Sequence, residues 1–263
     1  MRTLARLNVT PVKGLALHHP RQLKVTEAGL DMDRRFYLVD EAWRVVIGPK
    51  FGPLVQIRPT YDAQAETLTL TFPDGSQIAG DVSTLGPAQT TDFFGRPVAA
   101  HQVEGPWAQA FSEFVGTPVR MLRCDRDGDG IDVFPLTLVS RASVRDLAER
   151  GRHGGELDSR RFRINLELDG CDPYVEDSWD EQTITVGEVA IEVSGQIPRC
   201  VVTTQDPDTG MKDWNTLTHI ARLRPRIAGG GLPFGMYGGV VHPGILTVGD
   251  QVAGPVSGPG PSA

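Results

Sequence analysis

Cys200 follows Pro198 and Arg199 and precedes VVTTQDPDTG, in which Asp206-Pro207-Asp208-Thr209-Gly210 spells a tight turn. A guanidinium beside a thiol favours the thiolate, the form that binds soft metals or attacks as a nucleophile. Spacing alone leaves a second reading open, since a lone cysteine is commonly a buried, inert thiol. Cys124 and Cys171 form no CxxC pair with Cys200 or with each other. An odd number of cysteines without such spacing gives neither a disulfide framework nor a four-cysteine zinc site, and at least one thiol must be free.

Other constellations carry less. Asp125, Asp127, Asp129 and Gly130 reproduce the DxDxDG opening of a calcium loop, whose alternate carboxylates converge on one hard cation. The twelfth position, where a bidentate glutamate belongs, is Leu136, and VRMLRC ahead of the loop reads as a strand instead of a helix. A solvated acidic turn is the better reading. Gly229, Gly230, Gly231, Gly235, Gly238 and Gly239 lack both the strand-Gly-helix order of a dinucleotide site and a GK[ST] ending. That run either lets backbone approach a ligand or is a plain loop. His18, His19, His101, His153, His219 and His242 show no HExxH spacing, and no GxSxG is present. Hydrolase chemistry therefore has no support.

The elements that must position these residues are mostly strands. LARLNVTPV, QLKVTEAG, RRFYLVD, WRVVIG, LVQIRPTYD and TLTLTFPDGS alternate with period two and break at turn residues, which predicts an antiparallel barrel or meander. GPWAQAFSEFVG places Trp107, Phe111, Phe114 and Val115 at helical spacing, between Pro106 and Gly116. Ser140 caps a second helix, SRASVRDLAERG, after the strand PLTLVS, and Asn215 caps a third, NTLTHIARL. FRINLEL, QTITV, VAIEV, VVTTQ and much of GGGLPFGMYGGVVHPGILTVGDQV read as strand, and GPVSGPGPSA as a flexible tail. The fold class is mainly β with a few short helices, α+β. The domains are a first β-barrel over residues 1–100, a second barrel-like domain over 101–253 and a tail over 254–263.

Composition bounds the function. The chain has 263 residues, with 30 glycines and 20 prolines, an excess that means many turns and few long helices. A net charge of −7 argues against general nucleic-acid binding, which needs surplus Lys and Arg to neutralise phosphates. No apolar run approaches the roughly 18 residues of a membrane span, and MRTLARLNVTPVKG lacks the apolar stretch of a signal peptide. The expectation is a cytoplasmic protein with no membrane partner.

PRCVVTTQDPDTG (198–210), GCDPYVEDSWDE (170–181) and RFRIN (161–165) resemble the MOSC domain, named for the C-terminal domain of molybdenum cofactor sulfurase. TPVKG (10–14) and GLDMDRRFYLVD (29–40) resemble the β-barrel domain that precedes it, and within the family the likeness is to the mitochondrial amidoxime-reducing component and its bacterial relatives. The resemblance spans residues 4 to about 252. It implies the molybdenum cofactor, a pterin-dithiolene that carries the metal, with Cys200 as the metal's thiolate ligand and catalytic residue. It implies cofactor contacts from Lys13, Gly14, Arg34, Phe134, Arg163, Asn165, Pro198, Arg199 and Tyr237. The residue types suit the ligand, because Arg forks meet phosphate bidentately and Lys supplies a point charge. The sequence departs from the family pattern at Gly14, where a serine is usual, at FRIN for FRPN, and at Phe36 for a tryptophan.

The implied activity is an oxidoreductase that removes oxygen from N-hydroxylated substrates such as amidoximes, hydroxylamines and N-hydroxylated bases. Electrons would come from a separate ferredoxin-, flavoprotein- or cytochrome-type protein, since no cysteine follows Cys200. Asp206 and Asp208 are candidate acids only by nearness in sequence. The alternative is a molybdenum cofactor carrier or sulfur-transfer protein acting through Cys200.

Overall fold

The computed structural model describes residues 1–46 and 49–255; the end of the WRVVIG run and the expected tail from residue 256 onward lie outside the described residues. In TLTLT, strand Thr67–Thr71, the two leucines are fully buried and the threonines face outward. Each buried leucine contributes about 1.5–3 kcal/mol. The strand pairs antiparallel with Arg58–Asp62 on one side and Gln77–Asp81 on the other. A four-stranded sheet, in the order Phe36–Val39, Arg120–Cys124, Arg96–Val103 and Leu85–Phe93, wraps the same core. Helix α1, Trp107–Val115, closes one end by burying Trp107 and Phe111 against Val12, Leu15, Phe36, Leu68 and Leu70.

The larger sheet has seven strands. Their spatial order is Thr3–Leu7, Leu166–Asp169, Leu136–Ser140, Leu232–His242, Val189–Arg199, Gln182–Val186 and Val252–Ala253. Backbone bonds from Leu4 N to Asp250 O, 2.8 Å, and from Val252 N to Arg2 O, 3.0 Å, join the first of these to the last and nearly close a barrel. Leu136–Ser140 runs parallel to Leu166–Asp169, and a parallel pair needs a crossover, which contains helix α2, Arg141–Arg150. Ser140 caps α2 by accepting from Ala142 N, and Asn215 caps α3, Thr216–Leu223, by accepting from Thr218 N. The mainly β architecture with few helices and a nearly closed, barrel-like sheet is the one expected.

Several expected strands are shortened or replaced: LARLNVTPV is strand only as far as Leu7, residues 43–46 hold only an isolated bridge at Val45, and three others change as follows. VVTTQ is a helical turn over Val201–Thr204, because Thr203 and Thr204 hydroxyls donate back to the carbonyls of Cys200 and Val201 at 3.0 and 2.7 Å. FRINLEL keeps only Leu166–Asp169 as strand. Its first residue ends the turn Ser159–Phe162, and Arg163 then takes a left-handed backbone, φ 52°. The start of LVQIRPTYD lies in helical turns over Pro49–Gln56, with strand beginning at Arg58.

Candidate functional site

A cavity of about 430 Å³ opens where the two barrels meet, and Cys200 and the nine other residues singled out from the sequence all line it. Lys13 and Gly14 form the turn after Val12, held where Lys13 N donates to Phe36 O at 2.8 Å. Gly14 has φ +90°, and a Cβ there would meet nothing within 4 Å. Backbone conformation, not space, thus selects glycine where a serine is usual. Arg34 and Arg163 both sit in left-handed backbone, φ 53° and 52°. Phe134 and Tyr237 stack across the wall with ring centroids 5.2 Å apart.

Carboxylates hold two of the cations. Asp33, buried, accepts from Thr10 N and Asn165 Nδ2, each at 3.0 Å, and also from Arg34 Nη1. The Asn165 amide spends its remaining bonds on Asn8 O, 3.2 Å, and Thr137 Oγ1, 2.9 Å. Lys13 Nζ donates to Gly130 O at 3.0 Å and to Asp132 Oδ1 at 2.5 Å. Burial pulls the Lys13 ammonium below its usual range, with Asp132 opposing. Burial alone would raise Asp132, but Lys13, Arg34 and Arg163 outweigh it and hold the carboxyl below its ordinary value.

Arg163 and Arg199 differ in kind. Arg163 donates through Nη2 to Leu15 O at 2.8 Å. Arg199 donates through Nε to Phe234 O at 2.7 Å and through Nη1 to Phe162 O at 3.0 Å, while its Nη2 is buried without a partner. Among the described residues neither guanidinium has a carboxylate partner, and burial lowers both to about 10, for Arg163 with help from neighbouring Arg34. Half-buried cations without carboxylate partners and an orphaned N–H beside a cavity suit an anionic ligand. The exposed Cys200, on the same wall, supplies a soft sulfur donor. A metal-bearing, phosphate-bearing cofactor fits these residues: Lys13, Arg34, Arg163 and Arg199 could hold its anionic part and Cys200 its metal.

Other sequence candidates fall elsewhere. No glycine of the 229–239 run lines the cavity, which goes against the first of the two alternatives for that run, approach of its backbone to a ligand. Gly235 acts indirectly, since a Cβ there would lie 2.8 Å from Ile164 Cδ1 and 3.3 Å from Arg199 Nη2. The DxDxDG carboxylates point to separate partners, Asp125 to His101, Asp127 to Arg35 and Asp129 to Arg96. No group of three metal-ligating side chains occurs among the described residues. Asp206 caps its own turn by accepting from Thr209 N at 2.8 Å, and Asp208 pairs with Arg160. Sequence reasoning missed Asp132, Phe94 and Val133 in the cavity wall. Asp132 and Val133 had a signal, their nearness to Phe134, whereas Phe94 reaches the site only because its hairpin is pinned to that loop by Arg96.

The family model described as MOSC domain matches residues 125–253, and that described as MOSC N-terminal beta barrel domain matches residues 1–118. Mitochondrial amidoxime-reducing component 1 of Homo sapiens is 27% identical over 280 residues, covering 95% of this chain and 82% of that protein. Molybdenum cofactor sulfurase of Oryza sativa subsp. japonica is 25% identical over 254 residues, covering 84% of this chain and 31% of that protein. Among solved structures, the YuaD protein from Bacillus subtilis aligns over 96% of both chains with a TM-score of 0.46 and 11% identity. No helix among the described residues is long and apolar enough to cross a membrane.

Proposed function

Because the chain belongs to the MOSC family, carrying that domain behind its N-terminal β-barrel domain, we propose that it is a molybdenum-cofactor-dependent oxidoreductase acting on N-hydroxylated substrates. Amidoximes, hydroxylamines and N-hydroxylated bases are the substrate class. The observation that carries this reading is the convergence of Cys200, Lys13, Arg34, Arg163 and Arg199 on one cavity with two guanidiniums that lack carboxylate partners. The names of the amidoxime-reducing relatives support the choice of reaction.

In this mechanism the cofactor, when bound, supplies two-electron chemistry that takes up oxygen. The chain's own residues bind and orient. Arg163 and Arg199 would meet the cofactor's anionic groups. Cys200 Sγ would be the sulfur ligand that holds the metal. Asn165, its amide committed to Asp33, Asn8 and Thr137, holds Asp33 and through it Arg34 in place. Asp132 is the one carboxylate among the described lining residues, and its lowered pKa keeps it ionised at neutral pH. The two protons that balance loss of oxygen as water therefore come from solvent. A separate electron-transfer protein of ferredoxin, flavoprotein or cytochrome type supplies the two electrons.

The test is reduction of a simple amidoxime by cofactor-loaded protein with an artificial electron donor. Cys200→Ala should abolish turnover and lower bound molybdenum, and full activity in that variant would overturn the assignment. A second reading, delivery of the cofactor or of sulfur, is favoured by the exposure of Cys200 and by likeness to a segment of the sulfurase. One equivalent of bound cofactor with no turnover of any N-hydroxylated substrate would select it.

A further inference from the structure

The cavity changes character along its depth. Its inner wall holds Lys13 and Asn165, both buried, whereas its mouth carries two large apolar side chains in solvent, Phe94 at 61% exposure and Val133 at 64%. They come from different segments. Phe94 is at the tip of the hairpin joining Leu85–Phe93 to Arg96–Val103, and Val133 lies in the loop between Cys124 and Leu136. Arg96, just past the hairpin tip, donates through Nη2 to Asp129 O and Ile131 O, both at 2.8 Å. The hairpin is thereby pinned to the loop, which brings both side chains to one mouth.

Phe94 is the wrong residue for its turn. Phe93 pairs with Arg96, so Phe94 and Gly95 are the two central residues, with φ 55° and 90°. Two positive φ values call for Asn-Gly or Gly-Gly, and a bulky aromatic there carries strain. Its ring adds little to the core: it is exposed and meets Phe93 edge-on at a centroid distance of 6.1 Å. An aromatic side chain that strains its backbone and remains in water at a cavity mouth points to a ligand contact. Val201 and Val202, directly after Cys200, continue the apolar lining on the metal-ligand side.

We propose that Phe94 and Val133 form an apolar rim that receives the flat hydrophobic body of the substrate, and so select aromatic N-hydroxylated compounds over small polar ones. This rests on the reading of the cavity as the site of N-hydroxy reduction. The rim holds the body of the molecule while its N–O group lies toward Cys200.

The test compares benzamidoxime with acetamidoxime on cofactor-loaded protein, in wild type, Phe94→Asn and Val133→Ser. Two readouts are taken: equilibrium binding to the oxidised protein with no electron donor, and kcat/KM with an artificial donor. In each variant the preference for benzamidoxime should fall about three- to tenfold in both readouts, the scale of one aromatic contact. The thermal midpoint of Phe94→Asn should hold or rise, because asparagine suits the left-handed turn. An unchanged binding ratio overturns the proposal, as does a lowered midpoint in Phe94→Asn, which would make the ring structural. If wild type turns over neither amidoxime, the reductase reading fails, and the binding ratio still decides the rim.

Discussion

Arg199 shows most sharply how a single side chain is prepared for a ligand. Two nitrogens of its guanidinium are fixed by the carbonyls of Phe234 and Phe162, and the third is left unbonded. A lysine in its place cannot bond both carbonyls and still present a donor in the same direction. Arg199→Lys should therefore weaken retention of the cofactor by about tenfold or more, the loss of one charge-assisted bond. Molybdenum per protein after dialysis reads this directly, and wild-type retention would remove Arg199 from the binding set. The cavity cations were legible in the sequence only through the resemblance of the motifs that carry them, TPVKG, GLDMDRRFYLVD, RFRIN and PRC, and all four line the cavity. Phe94 was not, because nothing local in its segment tells that Arg96 ties it to the loop of Val133.

Among the elements, the helices were the most legible, since caps are written within four residues. Ser140 and Asn215 each accept from the backbone N–H their type predicts. The turn after Cys200 was not legible. Its β-branched run carries a strand pattern, and only the back-donation of Thr203 and Thr204 makes a helical turn of it. The start of α2 also depends on a distant residue. Glu176, almost fully buried, accepts from Ser143 Oγ at 2.7 Å and Ser140 N at 3.2 Å, while its Oε2 has no partner. Burial, with a smaller push from Asp177, raises its pKa above the ordinary glutamate range. A raised folded pKa means the proton is held more tightly in the folded state. The resulting stability is fully present below the unfolded pKa and is lost as pH rises through the folded one. Glu176→Gln keeps the accepting oxygen and cannot ionise. Between pH 4 and 8 the wild-type midpoint should therefore fall relative to that of Glu176→Gln, and parallel midpoints over that range would show that Glu176 does not titrate with folding.

At the scale of the whole molecule, a net charge of −7 conceals a cavity lined by Lys13, Arg34, Arg161, Arg163 and Arg199 against Asp132. Summed charge reports on solubility and partners in bulk, and composition alone could not reveal a local surplus of the opposite sign. The cavity also joins the parts of the fold. Lys13 reaches Gly130 and Asp132, Arg163 reaches back to Leu15, and Asn165 holds Asp33, so the cavity wall is stitched from both ends of the sequence. A ligand held by Lys13 and Arg34 on one side and by Arg163, Arg199 and Cys200 on the other must therefore be released before the two barrels can separate. Binding only to the folded state at a hundredfold excess over Kd adds about 2.7 kcal/mol. For a chain of this size that is a rise of about 5–10 °C in the thermal midpoint. Calorimetry of cofactor-loaded and cofactor-free protein should show that rise as one transition moving whole. Two transitions, of which only one moves, would mean that a single barrel holds the ligand and that the contacts across the cavity contribute nothing to binding.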